Sequence, residues 1–476
     1  MRRGPAMELE PSPEQMRRLV EAAMARIVPH LASIGEQPAA DVDGAADVAR
    51  SLVARMPRTG RPVEELLALL FERAVPKSFN TAGPGYLAYI PGGGLFASAV
   101  ADLIADAVNR YVGVWIAAPA LAQLETNVVR FFSDLVGFGE AGGGILTSGG
   151  SLANLTGIVT ARRERLPEDF LSGTLYASEE AHHSIQKAAL LAGFAPAAIR
   201  TLPVDDCFRL RPEALRDAVR KDRAAGRRPF LVVANAGSTN TGAVDDLHAI
   251  ADVARDERLW LHVDGAYGGF FLLTARGRSA LHGIERADSV VLDPHKSLFL
   301  PYGTGSLVVR DAEALRRAHS VAADYMPPTQ ADRDRVDFCE ISPELSRDFR
   351  GLRVWLPLNL YGTDAFARAL DEKLDLALWA CEELRRIPDI EIVAEPQLSL
   401  VAFRLAPDGR SAPDLDALNR RLVECVNARR RVHLSGTTAG GRFVARICVL
   451  SFRTHRDRVE QALEDVRASA AELSLA

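Results

Sequence analysis

The sequence predicts an α/β protein built on a mainly parallel central sheet, with a helical segment before it and a small α+β domain after it. Three observations carry this. Short apolar runs that look buried on both faces recur at 144–147, 173–177, 230–235, 259–264, 289–292 and 304–309. Amphipathic helical patterns fill several gaps, as at 151–164 and 247–256, and buried strands alternating with helices belong to a parallel sheet covered on both faces. A chain of 476 residues is also too long for one simple core and suits two or three domains.

The first ninety residues read as helical. Ser12-Pro13-Glu14-Gln15 combines an N-cap, a proline at the first helical position and a capping-box glutamine, ahead of an amphipathic run towards Ile27 and Val28. Further helical patterns span 40–55 and 62–75. Three such helices cannot bury all their apolar faces on each other, so they are expected to pack on the rest of the protein or on a partner subunit. The segment 323–348 is polar, contains prolines and lacks periodicity, which predicts a long mobile loop, and loops of that length are uncommon unless functional. Beyond Trp355, helices at 362–386 and 412–430, strands at 390–393, 399–404 and 443–449, and a final helix from 456 complete the small domain. The expected division is 1–90, a helical dimerisation segment; 91–360, the large domain; and 361–476, the small one.

Composition excludes more than it identifies. Apolar residues make up 48% and charged residues 25%, ordinary values for a soluble globular protein. A formal net charge of -5 with scattered basic residues gives no footprint for nucleic acid or an anionic membrane surface. The start has no apolar signal-peptide core, and no charge-free stretch reaches membrane-spanning length. The five cysteines show neither metal spacing nor a disulfide framework, and read as reduced thiols of a cytoplasmic protein.

The chemistry sits at strand ends. Asp264 closes the run Leu259-Trp260-Leu261-His262-Val263-Asp264, and Lys296 follows 32 residues later in Asp293-Pro294-His295-Lys296. Alone, the lysine is either a solvated strand-end charge or an amine that attacks an aldehyde. Buried aspartates are rare unless paired, and pyridoxal phosphate needs an acidic partner for its ring nitrogen, so the pair favours that cofactor. A phosphate needs N–H groups at a helix start. Thr147-Ser148-Gly149-Gly150-Ser151 offers a strand, a tight glycine turn and a helix, although a structural turn would look the same. No Gly-Lys-Ser/Thr follows, so it is not a nucleotide P-loop. His182, after another strand, is either a surface histidine or an imidazole stacked on a cofactor ring. His182, His183, His262 and His295 have no cysteine or second clustered carboxylate at metal spacing, so no metal is expected. Ser238, in Gly237-Ser238-Thr239, is a strand-end hydroxyl suited to holding the cofactor, or a plain turn residue.

With these residues assembled, the sequence resembles the group II pyridoxal-phosphate-dependent amino acid decarboxylases, from Gly85-Tyr86-Leu87-Ala88-Tyr89 to about Val466. The most specific matches are Ala181-His182, His262-Val263-Asp264-Gly265-Ala266-Tyr267 and Asp293-Pro294-His295-Lys296. The resemblance implies a fold-type-I homodimer with active sites at the subunit interface. It implies that Lys296 tethers the cofactor, Asp264 faces its ring nitrogen, His182 stacks on the ring, and Gly149, Gly150 and Ser151 grip the phosphate. Ala266, Asp293 and His295 fall beside them, His295 next to the tethering lysine. Arg446 resembles the arginine that meets the substrate carboxylate, with a strand arginine in a surface ion pair as the alternative. Tyr89, Ile90 and Pro91 resemble the lip of the substrate pocket, while Tyr111 and Trp115 fall where a neighbouring subunit would contribute.

Two departures stand out. Family decarboxylases carry a loop tyrosine that returns a proton to Cα, yet residues 326–360 contain none, and the match by loop position is Phe338. A phenyl ring cannot transfer a proton, and in related aldehyde synthases a phenylalanine there accompanies oxygen-dependent decarboxylation–deamination. Tyr325 is the other candidate. Secondly, Asp293 stands where animal members carry asparagine, and a carboxylate near a phosphate repels it unless turned away or paired. The leading expectation is decarboxylation of an L-amino acid, aromatic rather than acidic or aliphatic, to its amine. An aldehyde-forming enzyme on the same scaffold and a non-catalytic binding or scaffold protein are the rivals.

Overall fold

A computed structural model of the protein describes residues 9–321 and 335–474. The central sheet contains β1 (Gly143–Thr147), β2 (Gly173–Ser178), β3 (Ile199–Leu202), β4 (Arg228–Asn235), β5 (Trp260–Asp264), β6 (Ser289–Leu292) and β7 (Gly305–Val309). Their order is β1-β7-β6-β5-β4-β2-β3, and β7 alone runs antiparallel to its neighbours. The chain returns from β6 to β7 without a helical crossover, and an antiparallel partner needs none. Every residue of β2, β5, β6 and β7 is buried, which explains why these strands read as continuous apolar runs. In register, Asn235 stands opposite Asp264, and Asp264 opposite Val291. The ends of β4, β5 and β6 are thereby brought level, at the edge where ligands of open parallel sheets bind.

A second sheet, β8 (Ile390–Ala394), β9 (Leu400–Leu405), β10 (Ser435–Ala439) and β11 (Arg442–Cys448), has the order β10-β11-β9-β8 and is antiparallel throughout. β10 and β11 form a hairpin across Gly440-Gly441, both at positive φ (54° and 73°), as a type I′ turn requires. Neither β3 nor β10 is expected from sequence. Both are edge strands, and β10, Ser-Gly-Thr-Thr-Ala, carries too little apolar character to register.

The helix Pro13–Ala32 starts at the expected capping box: Gln15 N–H donates to Ser12 Oγ at 3.2 Å and Ser12 N–H to Gln15 Oε1 at 2.7 Å. None of its residues is buried. The pattern at 40–55 shortens to a helix at Ala45–Ser51, and that at 62–75 becomes Val63–Leu69 followed by a π-helical turn, Leu70–Ala74. The long loop expected at 323–348 is corrected in its second half. Phe338–Ile341 is a helical turn whose Phe338, Cys339 and Ile341 are buried, packed with Ala122 and Ile145. Behind them, Arg347 and Glu125 form an ion pair with both side chains fully buried. A few apolar residues spaced within a polar stretch were enough to dock it, a signal too sparse for periodicity to reveal. Among the described residues no helix is long and apolar enough to cross a membrane.

Candidate active site

Five strand ends converge on one cavity of about 320 Å³. β1 leads through Ser148-Gly149 into the helix Gly150–Arg165, and β2 leads to His182, the N-cap of the helix His183–Leu191. β4 contributes Asn235, Gly237, Ser238 and Thr239; β5 contributes Asp264, Ala266 and Tyr267; β6 delivers Asp293, His295 and Lys296. Residues separated by more than 140 positions in sequence meet because parallel strands bring all their C-terminal ends to one edge.

Each oxygen of the Asp264 carboxylate accepts one hydrogen bond. Asn154 Nδ2 donates to its Oδ2 at 3.1 Å and the Ala266 N–H to its Oδ1 at 3.1 Å. Asn154 also donates to Ser184 Oγ at 3.0 Å, and Ser184 Oγ lies 2.8 Å from His182 Nδ1. Burial lowers the pKa of His182; Lys296 and His183 push it the same way, while Asp264 opposes. His182 is thus held as a neutral ring on one wall of the cavity.

The opposite end is a glycine-lined cup. A Cβ on Gly150 would stand 2.8 Å from Asp293 Oδ2, and one on Gly305 would stand 2.4 Å from the Gly149 backbone carbon. Only glycines let the helix start, β7 and Asp293 approach so closely. Asp293 Oδ2 lies 3.4 Å from Lys296 Nζ and 3.7 Å from His295 Nε2, while its buried Oδ1 has no hydrogen-bond partner among the described residues. Burial raises the Asp293 pKa; Lys296 and His295 act against it. The carboxylate is therefore paired with the lysine rather than turned away from the cup. His295 Nδ1 donates to the Thr304 carbonyl, which leaves Nε2 towards Asp293.

The structure brings Lys296, Asp264, His182, His295, Asp293, Ala266, Ser238, Gly149, Gly150 and Ser151 to the cavity. Tyr89, Ile90 and Pro91 are not among the residues that line it, but they precede Gly92. A Cβ on Gly92 would stand 2.2 Å from the His295 carbonyl oxygen, so this segment runs against the backbone that carries Lys296. Ile90 and Pro91 are buried, and Tyr89 is exposed with a positive φ of 52°. Arg446 is not a surface ion pair: it is 3% exposed, donates to Ser435 Oγ and the Tyr89 carbonyl, and keeps a buried Nε without an acceptor among the described residues. Tyr111 and Trp115 do not line the cavity of their own chain; Tyr111 Oη donates to the Leu345 carbonyl, and Trp115 packs beside Phe338.

Phe338 does not line the cavity of its own chain. It is 1% exposed, lies in an apolar cluster with Ala122, Ile145, Leu307 and Ile341, and has the Arg347 guanidinium over its ring at 5.0 Å. Within its own chain it is a core residue. Tyr325 lies outside the described residues. Sequence reasoning missed Asn154, Ser184, Asn235, Thr239 and Tyr267, all of which line the cavity. Asn154 had a usable signal: it sits one helical turn after Gly150, on the face that follows the glycine turn.

Residues 54–406 match the family model described as the pyridoxal-dependent decarboxylase conserved domain. The chain belongs to the pyridoxal-dependent decarboxylase family. It is 33% identical to the aromatic-L-amino-acid decarboxylase of Bacillus atrophaeus, over 98% of both chains. The solved structure of Oryza sativa TDC with PLP and tryptamine superposes with a TM-score of 0.93 at 28% identity, covering 98% of this chain and 99% of that one. Rhodiola rosea 4-hydroxyphenylacetaldehyde synthase gives 0.89 at 26% identity, covering 97% and 99%. The protein is a pyridoxal-phosphate-dependent amino acid decarboxylase with the fold of that group. Its residues fit the cofactor: a lysine amine and a doubly hydrogen-bonded carboxylate face one cavity, and the glycine cup has the N–H groups of a helix start. When bound, pyridoxal phosphate supplies a cationic ring that takes up the electrons left behind by departing carbon dioxide.

Proposed function

We propose that the substrate is an aromatic L-amino acid, decarboxylated to its amine. The observation that carries this is the cavity that joins Asp264 to Lys296, in a chain that is 33% identical, nearly end to end, to an aromatic-L-amino-acid decarboxylase. Lys296 is the tether, and Asp264 holds a proton on the ring nitrogen. His182, neutral and apposed to the cavity, packs on the ring face. Gly149, Gly150 and Ser151 bind the phosphate, with Ser238 and His295 alongside. Arg446 receives the substrate carboxylate; a buried guanidinium donor without an acceptor supports that role, since such groups are normally satisfied. Its grip must not outlast the charge it binds, because catalysis rewards preferential binding of the transition state. The exposed Tyr89 forms part of the substrate lip.

A homodimer with active sites at the interface completes this reading. The first helix, with no buried residue, presents Met16, Val20 and Val28, and Leu66, Leu70, Tyr111 and Ile116 are also exposed. A second copy would cover this apolar surface and bring Tyr111 and Trp115 towards the partner's cavity. Residues 1–90 then act as a dimerisation segment, 91–360 as the cofactor domain and 361–476 as the small domain. Five free cysteines fit a cytoplasmic location.

Burial of Phe338 in the core of its own chain weighs against aldehyde formation. A panel of L-amino acids assayed for carbon dioxide, amine, aldehyde and hydrogen peroxide tests the proposal. Amine in step with carbon dioxide, fastest for an aromatic substrate, is expected; stoichiometric aldehyde and peroxide would overturn it. Phe338→Tyr should leave the ratio of amine to aldehyde unchanged.

A further inference from the structure

The cavity's two ring-contacting groups, Asp264 and His182, are wired to one buried amide. Trp260 Nε1 donates to Ser289 Oγ at 2.8 Å, and Ser289 Oγ lies 2.7 Å from His262 Nδ1. His262 Nε2 lies 2.9 Å from Asn154 Oδ1, and Asn154 Nδ2 reaches both Asp264 Oδ2 and Ser184 Oγ. His262, Asn154 and Ser289 are all 1% exposed or less.

The direction of every bond in this chain is determined. A carboxylate only accepts, so Asn154 must turn its NH₂ to Asp264, and its oxygen then faces His262. His262 must therefore carry its hydrogen on Nε2 and accept at Nδ1 from the Ser289 hydroxyl, whose oxygen accepts from the Trp260 indole, a donor only. On the other branch, Ser184 Oγ accepts from Asn154 and donates to His182 Nδ1, which also accepts the Ser184 backbone N–H at 3.3 Å. Burial lowers the His262 pKa to about 4, in agreement with a neutral ring. With the amide reversed, an oxygen would face the Asp264 carboxylate, which a low-dielectric interior punishes, and His262 would have to take the other tautomer.

We propose that Asn154 and His262 are positioning residues that together hold Asp264 aimed and keep His182 in the Nε2–H tautomer. The proposal rests on the reading of Asp264 as partner of the cofactor ring nitrogen. Neither residue touches the reacting atoms. Their effect is to prevent the Asn154 amide from rotating, which would remove one of the two donors on Asp264 and redirect the hydroxyl that sets the His182 tautomer.

The test uses holoenzyme reconstituted with pyridoxal phosphate labelled with ¹⁵N in the ring, reading the ring-nitrogen chemical shift alongside kcat and KM. Asn154→Leu should lower kcat by about 10²-fold, the scale of a misaimed catalytic group, with KM changed less than about twofold, and should shift the nitrogen towards its unprotonated value. His262→Leu should do the same more weakly, and His262→Gln, which can still donate to Asn154, should recover most of the loss. Ser289→Ala removes only a hydroxyl and serves where a larger change prevents folding; it should shift the nitrogen in the same direction. A wild-type nitrogen shift in Asn154→Leu, or in Ser289→Ala where the others fail to fold, would overturn the proposal. Asp264→Ala separates the two levels. If it alone deprotonates the nitrogen, the relay falls and the Asp264 reading stands; if it too leaves the nitrogen protonated, that reading falls first.

Discussion

Asp264 and Asp293 are both buried carboxylates of one cavity, 8% and 2% exposed, yet the fold treats them oppositely. Both oxygens of Asp264 accept hydrogen bonds, from a side-chain amide and a backbone N–H, so its position is set from behind. Asp293 has one oxygen near Lys296 and His295, and another with no partner among the described residues. Multiple donors stabilise an ionised carboxylate, whereas burial without them favours the protonated form. One carboxylate is therefore held from behind by two donors, and the other is left to respond to what sits in the cup. The departure from asparagine noted at Asp293 falls on the responsive one.

The comparison can be broken most directly at Asp264. Asp264→Ala should lower kcat by about 10³-fold, the scale of losing a preorganised electrostatic partner, in a decarboxylation assay with saturating pyridoxal phosphate. A loss below tenfold would mean that the satisfied carboxylate is structural only.

The wiring behind Asp264 also has a cost on the acid side. Burial lowers the His262 pKa from 6.5 to about 4, so the unfolded chain takes up that proton first as pH falls. The stability this residue contributes is complete above 6.5 and is lost as pH drops towards 4; it amounts to at most about 3 kcal/mol. Asp245, raised to about 6 by burial, acts in the opposite direction but is common to both proteins compared. Denaturant unfolding of wild type and His262→Gln across this range should show the shallower slope for the variant, and equal slopes would refute a neutral buried ring.

The smallest effect is expected at Asp293. Because burial raises its pKa, rising pH ionises it beside the bound phosphate and weakens the cofactor. Asp293→Asn should remove this part of the pH dependence and tighten pyridoxal phosphate by about tenfold on the alkaline side, as expected when one of two facing negative charges is removed. Equilibrium dialysis against pH reads it. A variant with the wild-type profile would show that Lys296 already neutralises Asp293.

Much of the fold was legible because buried parallel strands leave continuous apolar runs, and the helix 247–256 was bounded to the residue by its period. Edge strands β3 and β10 were not, since partial solvation removes the apolar signal. In the site, Lys296, Asp264, His182 and the glycine turn stood out as charged, polar or flexible residues following apolar runs. The burial of Phe338 was not legible, because position along a loop carries no information about which way an aromatic side chain packs. Asn154 and Ser184 escaped because, in sequence, an asparagine and a serine in helices 30 residues apart look like any polar helical residues.

The sequence by itself determined which reactive groups exist and that they lie at strand ends, because strand period and glycine turns are local properties. The tertiary structure decided how they are wired: which carboxylate is satisfied, which histidine is neutral, and which aromatic is core. Those outcomes depend on distances between residues far apart in the chain, and on a burial that only the packed sheet creates.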